Sequence, residues 1–457
     1  MKSKNKTKTL PELRECYLAN RPIAIDLFSG VGGLSLGLEL AGFAITSHAE
    51  IDETAARYAE YNFPLTRTLG GAETGDIRRI SGKNLIVDVP KGTEIALIAG
   101  GPPCQGFSFA GKKDRTDPLN DLVLEMTRII LELKPMSFLI ENVPGIKSGD
   151  VWQLDEAIKR LKKVYRLSEP NTLFAPDFGV PQTRKRVFVL GIRRDIGTTP
   201  EHPSPTHLPP GCEQTLFSPS SLTPTASEAL GDLPNVDVYA HLVNGDEVKY
   251  SCAPKNEFQR IMRSPSILAK RRGYSVSWDE VTCTNCRRTQ HGEDLTMRLS
   301  ALGPGQADGG SGIRRLEPDG LGTTIRAGTT SERGSWSAPR PCHYEYARVL
   351  TTRECARLQT FPDWFRFHPV KWHGNRQVGN AVPVFLAEAV GKALFSQLGL
   401  KGISSDIPAI ERDENLVKKD IEKAESARFD IKNISHKVTG TRKPGNAPRN
   451  KTRPSNP

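Results

Sequence analysis

Apolar and polar positions change their order several times along the chain. Residues 1–20 read as a polar, basic lead-in without fixed structure. From Pro22 the texture becomes that of a folded core, and Ile23-Ala24-Ile25 predicts a short buried strand ending at Asp26. Leu34, Leu36, Leu38, Leu40 and Ala41 predict a helix stopped by Gly42, and Phe43 to Glu50 predicts a second strand. A third apolar run, Glu94 to Ala99, ends in Gly100-Gly101-Pro102-Pro103-Cys104. Residues 119–133 place Leu122, Met126, Ile129, Ile130 and Leu133 at helical spacing. Pro135 breaks that helix, and Ser137 to Ile140 predicts another strand. A helix over 152–163 and a strand from Arg186 to Ile192 follow. Strands alternating with helices predict an α/β fold, a doubly wound and mostly parallel sheet covered on both faces.

The alternation stops near residue 195. Residues 195–235 are rich in Pro, Ser and Thr. From 240 to 345 there is little periodicity, many glycines, and 12 Arg against 3 Lys. Periodic structure returns at Thr351, and Pro383–Leu398 predicts a helix that rejoins the first domain. Leu416 to Arg428 is charged and compatible with a helix; the tail beyond it has the composition of a disordered segment. The expected organisation is therefore a lead-in over 1–20, a large α/β domain over 21–235 and 346–400, a smaller irregular domain over 240–345, and an extension over 401–457.

Composition excludes several classes. The chain has 457 residues, 37% hydrophobic and 25% charged, and no run approaches the ~20 apolar residues of a membrane span. The first residues lack the apolar stretch of a secretory signal. Eight cysteines without framework spacing indicate thiols in a reducing compartment. The net charge of +11 suggests a polyanionic partner, yet all of it sits at the ends. Four lysines precede Leu10 and seven basic residues follow Asp430, unopposed, so residues 11–430 are neutral overall. Those ends would add salt-sensitive affinity for any DNA.

The turn Asp26-Leu27-Phe28-Ser29-Gly30-Val31-Gly32-Gly33 joins a strand to a helix, where glycines let backbone approach a ligand. The next strand ends at Glu50, suited to accept hydrogen bonds from ribose hydroxyls. An ordinary strand–turn–helix joint would look similar. The spacing departs from the dinucleotide fingerprint, and Asp26 would repel a phosphate. A cationic adenosine derivative such as S-adenosylmethionine fits better, with Asp76 at a further strand end to hold the adenine amine. Cys104 lies in a rigid Gly/Pro bend at a carboxyl strand end, the setting of a reactive thiol rather than a packed one.

At this point the chain resembles the DNA (cytosine-5) methyltransferases of bacterial restriction–modification systems. Pro103-Cys104 resembles their Pro-Cys motif, Asp26–Gly33 their cofactor loop, and Glu141-Asn142-Val143 their Glu-Asn-Val motif. Gln182-Thr183-Arg184-Lys185-Arg186 resembles Gln-x-Arg-x-Arg. Arg353–Pro362 and Gln377–Pro383 resemble the closing motifs, with Cys355 replacing a commoner Ala and expected to be structural. The resemblance implies the fold of S-adenosylmethionine-dependent methyltransferases and a target-recognition domain at 240–345. It implies Cys104 as nucleophile toward carbon 6 of a flipped-out cytosine and Glu141 at ring nitrogen 3. Arg184 would meet the base carbonyl, and Arg186 would support the loop or a phosphate. Cofactor contacts carried over are Phe28, Gly30, Glu50, Ile51, Asp76, Ile77, Pro103, Leu122 and Asn380. The loop Gly106–Asn120, with Lys112, Lys113 and Arg115, would close over the base about Gly111. Arg287, Arg288, Arg314, Arg315 and Arg326 are candidates for reading duplex DNA. A monomer in the bacterial cytoplasm at the nucleoid, paired in function with a restriction endonuclease, follows. A tRNA cytosine-5 methyltransferase and a non-catalytic DNA-binding regulator remain as alternatives. Cys283 and Cys286, with His291, Cys342 and His343, lack zinc-ribbon spacing, and no metal is expected.

Overall fold

Five consecutive buried residues make β1 (Ile23–Leu27) the centre of the molecule: a strand covered on both faces is mainly apolar, and here Asp26 is the one buried charge in it. The computed structural model describes residues 9–103, 121–147, 152–216, 218–219, 221–328, 340–402 and 407–426. Ahead of β1 lies α1 (Leu10–Ala19). After it come α2 (Gly33–Ala41), β2 (Ala44–Glu50), α3 (Glu53–Asn62) and β3 (Arg67–Gly70). Two short helices, α4 (Gly71–Thr74) and α5 (Gly82–Leu85), precede β4 (Ile95–Gly100). Then follow α6 (Leu122–Leu133), β5 (Ser137–Asn142), α7 (Trp152–Leu161), β6 (Tyr165–Leu167), β7 (Asn171–Phe174) and β8 (Lys185–Arg193).

These strands form one eight-stranded sheet in the order β3-β2-β1-β4-β5-β8-β6, with β7 beside the first half of β8. β1 to β5 pair in parallel, and the order reverses between β1 and β4. A crevice opens beyond the carboxyl ends at such a reversal. β8 runs antiparallel to β5, with Glu141 opposite Phe188 and Asn142 opposite Val187. Its direction brings the amino end of β8, carrying Arg184 and Arg186, to the edge where the parallel strands finish. β8 alone runs against the others and makes the sheet mixed at one side; its neighbours β6 and β7 carry no strong apolar signal.

The lead-in expected over 1–20 is a helix from Leu10 onward. Thr9 and Glu12 form its capping box, and Leu13, Tyr17 and Leu18 are buried. The Tyr17 hydroxyl donates to Glu39 Oε1 at 2.6 Å. Glu39, the only charge in residues 27–49, is fully buried and paired with Arg272. Residues 1–8 and 427–457 lie outside the described residues.

The remaining helices are α8 (Ala226–Leu230), α9 (Glu257–Arg263), α10 (Pro265–Arg272), α11 (Glu293–Ser300), α12 (Thr352–Leu358), α13 (Lys371–Asn380), α14 (Val384–Gln397) and α15 (Asn415–Ser426). The Glu39–Arg272 pair ties α10 to α2, and Phe258, Met262, Leu268, Tyr274 and Val276 join the main core. The irregular region is therefore not wholly separate. Two small clusters remain for it: Val236, Leu242, Val248, Cys283 and Cys286, and Leu299, Ile313, Cys342 and Val349.

By composition alone Lys371–Gln397 is apolar enough to cross a membrane. It is two helices interrupted at 381–383, and Val378, Val384, Leu386, Val390 and Leu394 are fully buried in the protein. α14 lies across α2 at glycine contacts. A Cβ on Gly37 would run into the Ala387 methyl and come within 2.6 Å of the Val384 carbonyl. Gly37→Val is therefore expected to lower stability by about 3 kcal/mol, whereas Gly292→Ala, in open space, changes it by less than about 0.5 kcal/mol. Urea unfolding midpoints compare the two; equal midpoints would remove the close α2–α14 packing.

Candidate active site

The crevice begins where β1 gives out. Phe28, Gly30 and Gly32 all have left-handed backbone, with φ of 59°, 55° and 98°. For Phe28 that conformation is costly and has to be held by its surroundings. The glycines are held closely: Gly32 meets the Phe63 ring, and a Cβ on Gly33 would lie 2.7 Å from the Val382 carbonyl. The loop thus touches the segment just after Asn380. Glu50, at the end of β2, accepts the Gly30 N–H on Oε2 at 2.7 Å and the Asp52 N–H on Oε1 at 2.8 Å.

Asp76 does not end a strand. The helix α4 intervenes after β3, and Gly75 packs on the Glu50 carbonyl so closely that no side chain would fit. Its carboxylate is held by Arg78 through Nε to Oδ1 at 2.9 Å and Nη2 to Oδ2 at 2.8 Å, which lowers its pKa. Ile77 is buried beside it and Ile51 is half exposed. Leu122 opens α6 as a buried residue, Pro103 is partly exposed, and Asn380 is exposed at the end of α13. Cys104 and the loop to Asn120 lie outside the described residues.

Carboxylates crowd this edge. Asp26 is fully buried; its Oδ2 accepts from Ser35 Oγ at 2.5 Å, while Oδ1 has no partner. Burial pushes Asp26 up to about 7, and the charges of Glu50 and Glu141 add to the rise. Ser35 Oγ also lies 2.8 Å from Nε2 of His48, which burial pushes down to about 3 and keeps neutral. An orphaned acceptor between two further acids fits a ligand that brings positive charge. The residues present therefore suit the sulfonium and ammonium of S-adenosylmethionine.

On the β5 side Glu141 is buried, which raises its pKa, while Arg186 and Arg184 oppose the rise. Arg186 Nε pairs with Glu141 Oε1 at 2.8 Å. A Cβ on Gly101 would stand 2.7 Å from Glu141 Oε2, so glycine is what lets the β4 loop pass. Asn142 Nδ2 donates to the Pro102 carbonyl at 3.1 Å and ties the two loops.

The two arginines have different partners. Arg184 is buried and turned into the protein. Its Nη1 donates to the Ile325 carbonyl at 2.8 Å, and Nη2 to the carbonyls of Gly379 and Ala381 at 2.8 and 3.0 Å. Both terminal nitrogens of Arg184 are thus committed to backbone carbonyls, whereas Arg186 stands beside Glu141 at the crevice. Two glutamines, which the sequence reading passed over although both lie inside motifs, complete the joint. Gln182 donates to Gln359 Oε1 at 2.5 Å and accepts the Ile325 N–H at 2.8 Å, and Gln359 donates to the Ala381 carbonyl at 2.6 Å.

The five arginines expected to read DNA divide. Arg287 is buried with Nε on the Val243 carbonyl at 3.0 Å. Arg315 is buried with Nη2 on the Leu299 carbonyl at 2.6 Å and Nη1 on that of Tyr344 at 3.1 Å. Both brace the irregular region with most of their surface buried, and Arg315 also reaches the wall of a cleft. Arg288 is half-buried and donates to the Asp237 carbonyl at 3.2 Å. Arg314 and Arg326 are exposed. Arg314 lines a cleft shared with Thr183, and the backbone of Arg326 presses on Gly379, beside Asn380.

The Sγ atoms of Cys283 and Cys286 lie 3.2 Å apart, and the pair is buried. His291 Nε2 accepts the Val349 N–H at 3.2 Å and Cys342 Sγ faces the Tyr346 carbonyl. Among the described residues no three His, Cys, Asp or Glu side chains converge. Cys355 is fully buried and its thiol is pushed up to about 12.

Comparison with known proteins adds to this geometry. A family model for the C-5 cytosine-specific DNA methylases matches residues 23–396. Type II methyltransferase M.XorII of Xanthomonas oryzae pv. oryzae is 37% identical over 388 residues, covering 83% of this chain and 86% of that protein. Type II methyltransferase M.DdeI of Desulfomicrobium norvegicum is 30% identical over 407 residues, covering 81% and 88%. Among solved structures, a prophage-encoded E. coli protein described as a DNA modification methyltransferase superposes with a TM-score of 0.65 at 30% identity, over 83% of this chain and 99% of that one. The methyltransferase EhMeth of Entamoeba histolytica shares the fold, with a TM-score of 0.51 at 18% identity.

Buried and exposed arginines should separate in stability. Arg184→Met and Arg315→Met, which leave buried carbonyls unpaired, are each expected to cost about 3 kcal/mol. Arg314→Met and Arg326→Met should stay within about 0.5 kcal/mol. Urea midpoints measure all four, and a stable Arg184→Met would reject the clamp.

Proposed function

The chain belongs to the C-5 cytosine-specific DNA methylases, and from that premise we propose how its own residues carry the reaction. It is a DNA (cytosine-5-)-methyltransferase of the type II modification class. The observation that carries the mechanism is Glu141, buried beside Arg186 and facing Gly101, three residues before Cys104.

Carbon 5 of cytosine is a weak nucleophile, and its ring is closed off inside a duplex, so the base is flipped into the crevice. The Cys104 sulfur bonds to carbon 6, and the electron pair of the 5,6 double bond moves toward carbon 5. When bound, S-adenosylmethionine would supply the methyl group for carbon 5, its methyl–sulfur bond breaking to leave a neutral thioether. Loss of the carbon 5 proton and of the sulfur restores the double bond. Glu141, whose pKa burial raises against the opposing pull of Arg186 and Arg184, shares a proton with ring nitrogen 3 as negative charge moves onto the ring. Arg186 orients Glu141 and meets the base carbonyl oxygen, while Arg184 acts from behind by fixing the joint. Glu50 holds the ribose hydroxyls, and Asp26 faces the positive end of the cofactor. Phe28, Gly30, Ile51, Ile77, Pro103, Leu122 and Asn380 complete its cradle, and Asp76 takes the adenine amine when Arg78 yields.

Arg314, Arg326 and Arg288 remain as contacts to duplex DNA. The protein works as a monomer at the nucleoid in the bacterial cytoplasm, protecting sites that a cognate restriction endonuclease would cut. Incubation with labelled cofactor and either duplex DNA or tRNA should label DNA; label confined to tRNA rejects the proposal. Cys104→Ser should lose turnover and also the covalent adduct with a 5-fluorocytosine duplex, and a persisting adduct rejects the nucleophile.

Asp26 gives a pH dependence. Its folded pKa of about 7 makes it neutral below that value and anionic above it. The sulfonium charge does not titrate, so cofactor affinity should rise as pH increases through 7, by about tenfold between roughly pH 6 and 7.5. Asp26→Asn should bind weakly at every pH with no such slope. Equilibrium binding of S-adenosylmethionine across this range measures it; an identical slope in the variant removes Asp26 from the role.

A further inference from the structure

Residues 407–426 lie beyond the stretch matched by the family model, which ends at 396. They are nevertheless part of the folded protein. Ile410, Val417 and Ala424 are buried, and Ile410 pairs with Val276 as a short parallel bridge. Arg412 Nη1 donates to the Trp364 carbonyl at 2.7 Å while its guanidinium lies over the Tyr61 ring at 4.5 Å. The Tyr61 hydroxyl donates to Glu414 Oε1 at 2.6 Å. The segment is a strap across α3, residues 275–278 and residues 364–368.

Its far end makes the contact that matters. Asp420 Oδ2 lies 3.0 Å from Arg57 Nη2 and 3.6 Å from His368 Nε2. Arg57 belongs to α3, whose cap Asp52 donates its backbone N–H to Glu50. The backbone N–H of His368 donates to Gln377 Oε1 at 2.9 Å, and Gln377 stands three residues before Asn380 on α13. One carboxylate therefore pairs with Arg57 of α3, the helix that starts just after Glu50, and packs against the neutral ring of His368, whose backbone is bonded to α13, the helix that ends at Asn380. Glu50 and Asn380 approach the crevice from different elements, and a ligand spanning them needs their separation fixed.

We infer that Asp420 is a positioning residue for the cofactor site, holding α3 and α13 so that Glu50 and Asn380 grip the same ligand. This rests on the reading of Glu50 and Asn380 as cofactor contacts. A bridge of this kind acts on ground-state binding and leaves the chemistry at Cys104 and Glu141 alone.

The experiment uses the full chain with S-adenosylmethionine as probe, comparing wild type, Asp420→Ala, Asp420→Glu and Glu50→Gln. Asp420→Ala should weaken cofactor affinity about tenfold and raise its KM accordingly, with kcat at saturating cofactor and KM for duplex unchanged. Asp420→Glu should restore most of the affinity, and Glu50→Gln should lose it. Cofactor affinity within about twofold of wild type in Asp420→Ala, with Glu50→Gln impaired, overturns the inference and leaves the site reading standing. A joint fall of kcat, duplex binding and melting temperature without rescue by Glu overturns it as well, since that is general loosening. Unimpaired binding by Glu50→Gln overturns the site reading, and this inference with it.

Discussion

One buried guanidinium holds the catalytic edge together. Arg184 donates to three backbone carbonyls, at Ile325, Gly379 and Ala381, which come from stretches far apart in the chain. It has no carboxylate in direct contact among the described residues; Glu141 acts on it only at longer range. A charge so placed is tolerated because the carbonyls would otherwise be buried without donors. Its direction is set by β8, which runs antiparallel to β5 and starts at the edge where the parallel strands end. Two residues on, the same strand delivers Arg186 to Glu141. The position of the acid and that of the Asn380 helix thus depend on a single strand start.

That edge is electrostatically lopsided. Asp26, Glu50 and Glu141 are gathered in a crevice where burial raises all three. Each is restrained in a different way. Glu50 accepts two backbone N–H groups, Glu141 has Arg186, and Asp26 has only the Ser35 hydroxyl on one oxygen. The unsatisfied member is the one bonded to Ser35 of α2, and it is the most deeply buried of the three. The +11 of the whole chain is unrelated to this, since it resides in the two basic ends.

What the sequence discloses follows from what kind of signal each feature leaves. β1, β2, β4 and β5 are apolar runs that end in turn residues, and their expected limits are within a residue or two of the observed ones. Glu50 is legible because its place at a strand end follows from the run before it. The antiparallel entry of β8 is not, because direction depends on pairing across the sheet and leaves no local mark. That is why the engagement of Arg184 with the carbonyls of Ile325, Gly379 and Ala381 leaves no mark in the sequence. α1 is hidden because only Leu13, Tyr17 and Leu18 of its side chains reach the core. Asp76 is displaced because α4 is a single turn, too short to show periodicity. The strap at 407–426 reads as charged surface because its apolar residues, Ile410, Val417, Ile421 and Ala424 among them, are spread among charges, and its polar ties reach segments distant in sequence.

The arginine content of the irregular region has the same explanation as Arg184. Only two small apolar clusters belong to this part of the chain alone, and its other buried apolar side chains join the main core. Its loops lack ladder partners for their carbonyls. Arginine answers that need, because a planar fork of five donors can satisfy several carbonyls while its stem packs. Arg315 spans the carbonyls of Leu299, His343 and Tyr344. Arg353 reaches those of Thr284, Pro362 and Phe365, fastening the Cys283–Cys286 segment to α12. Arg357 joins Asp232, Asp363 and the Ala229 carbonyl. Counting arginines therefore overstates how much of such a region faces DNA. Of the five arginines singled out as DNA contacts, Arg314 and Arg326 stay exposed, while Arg287 and Arg315 belong to the buried frame.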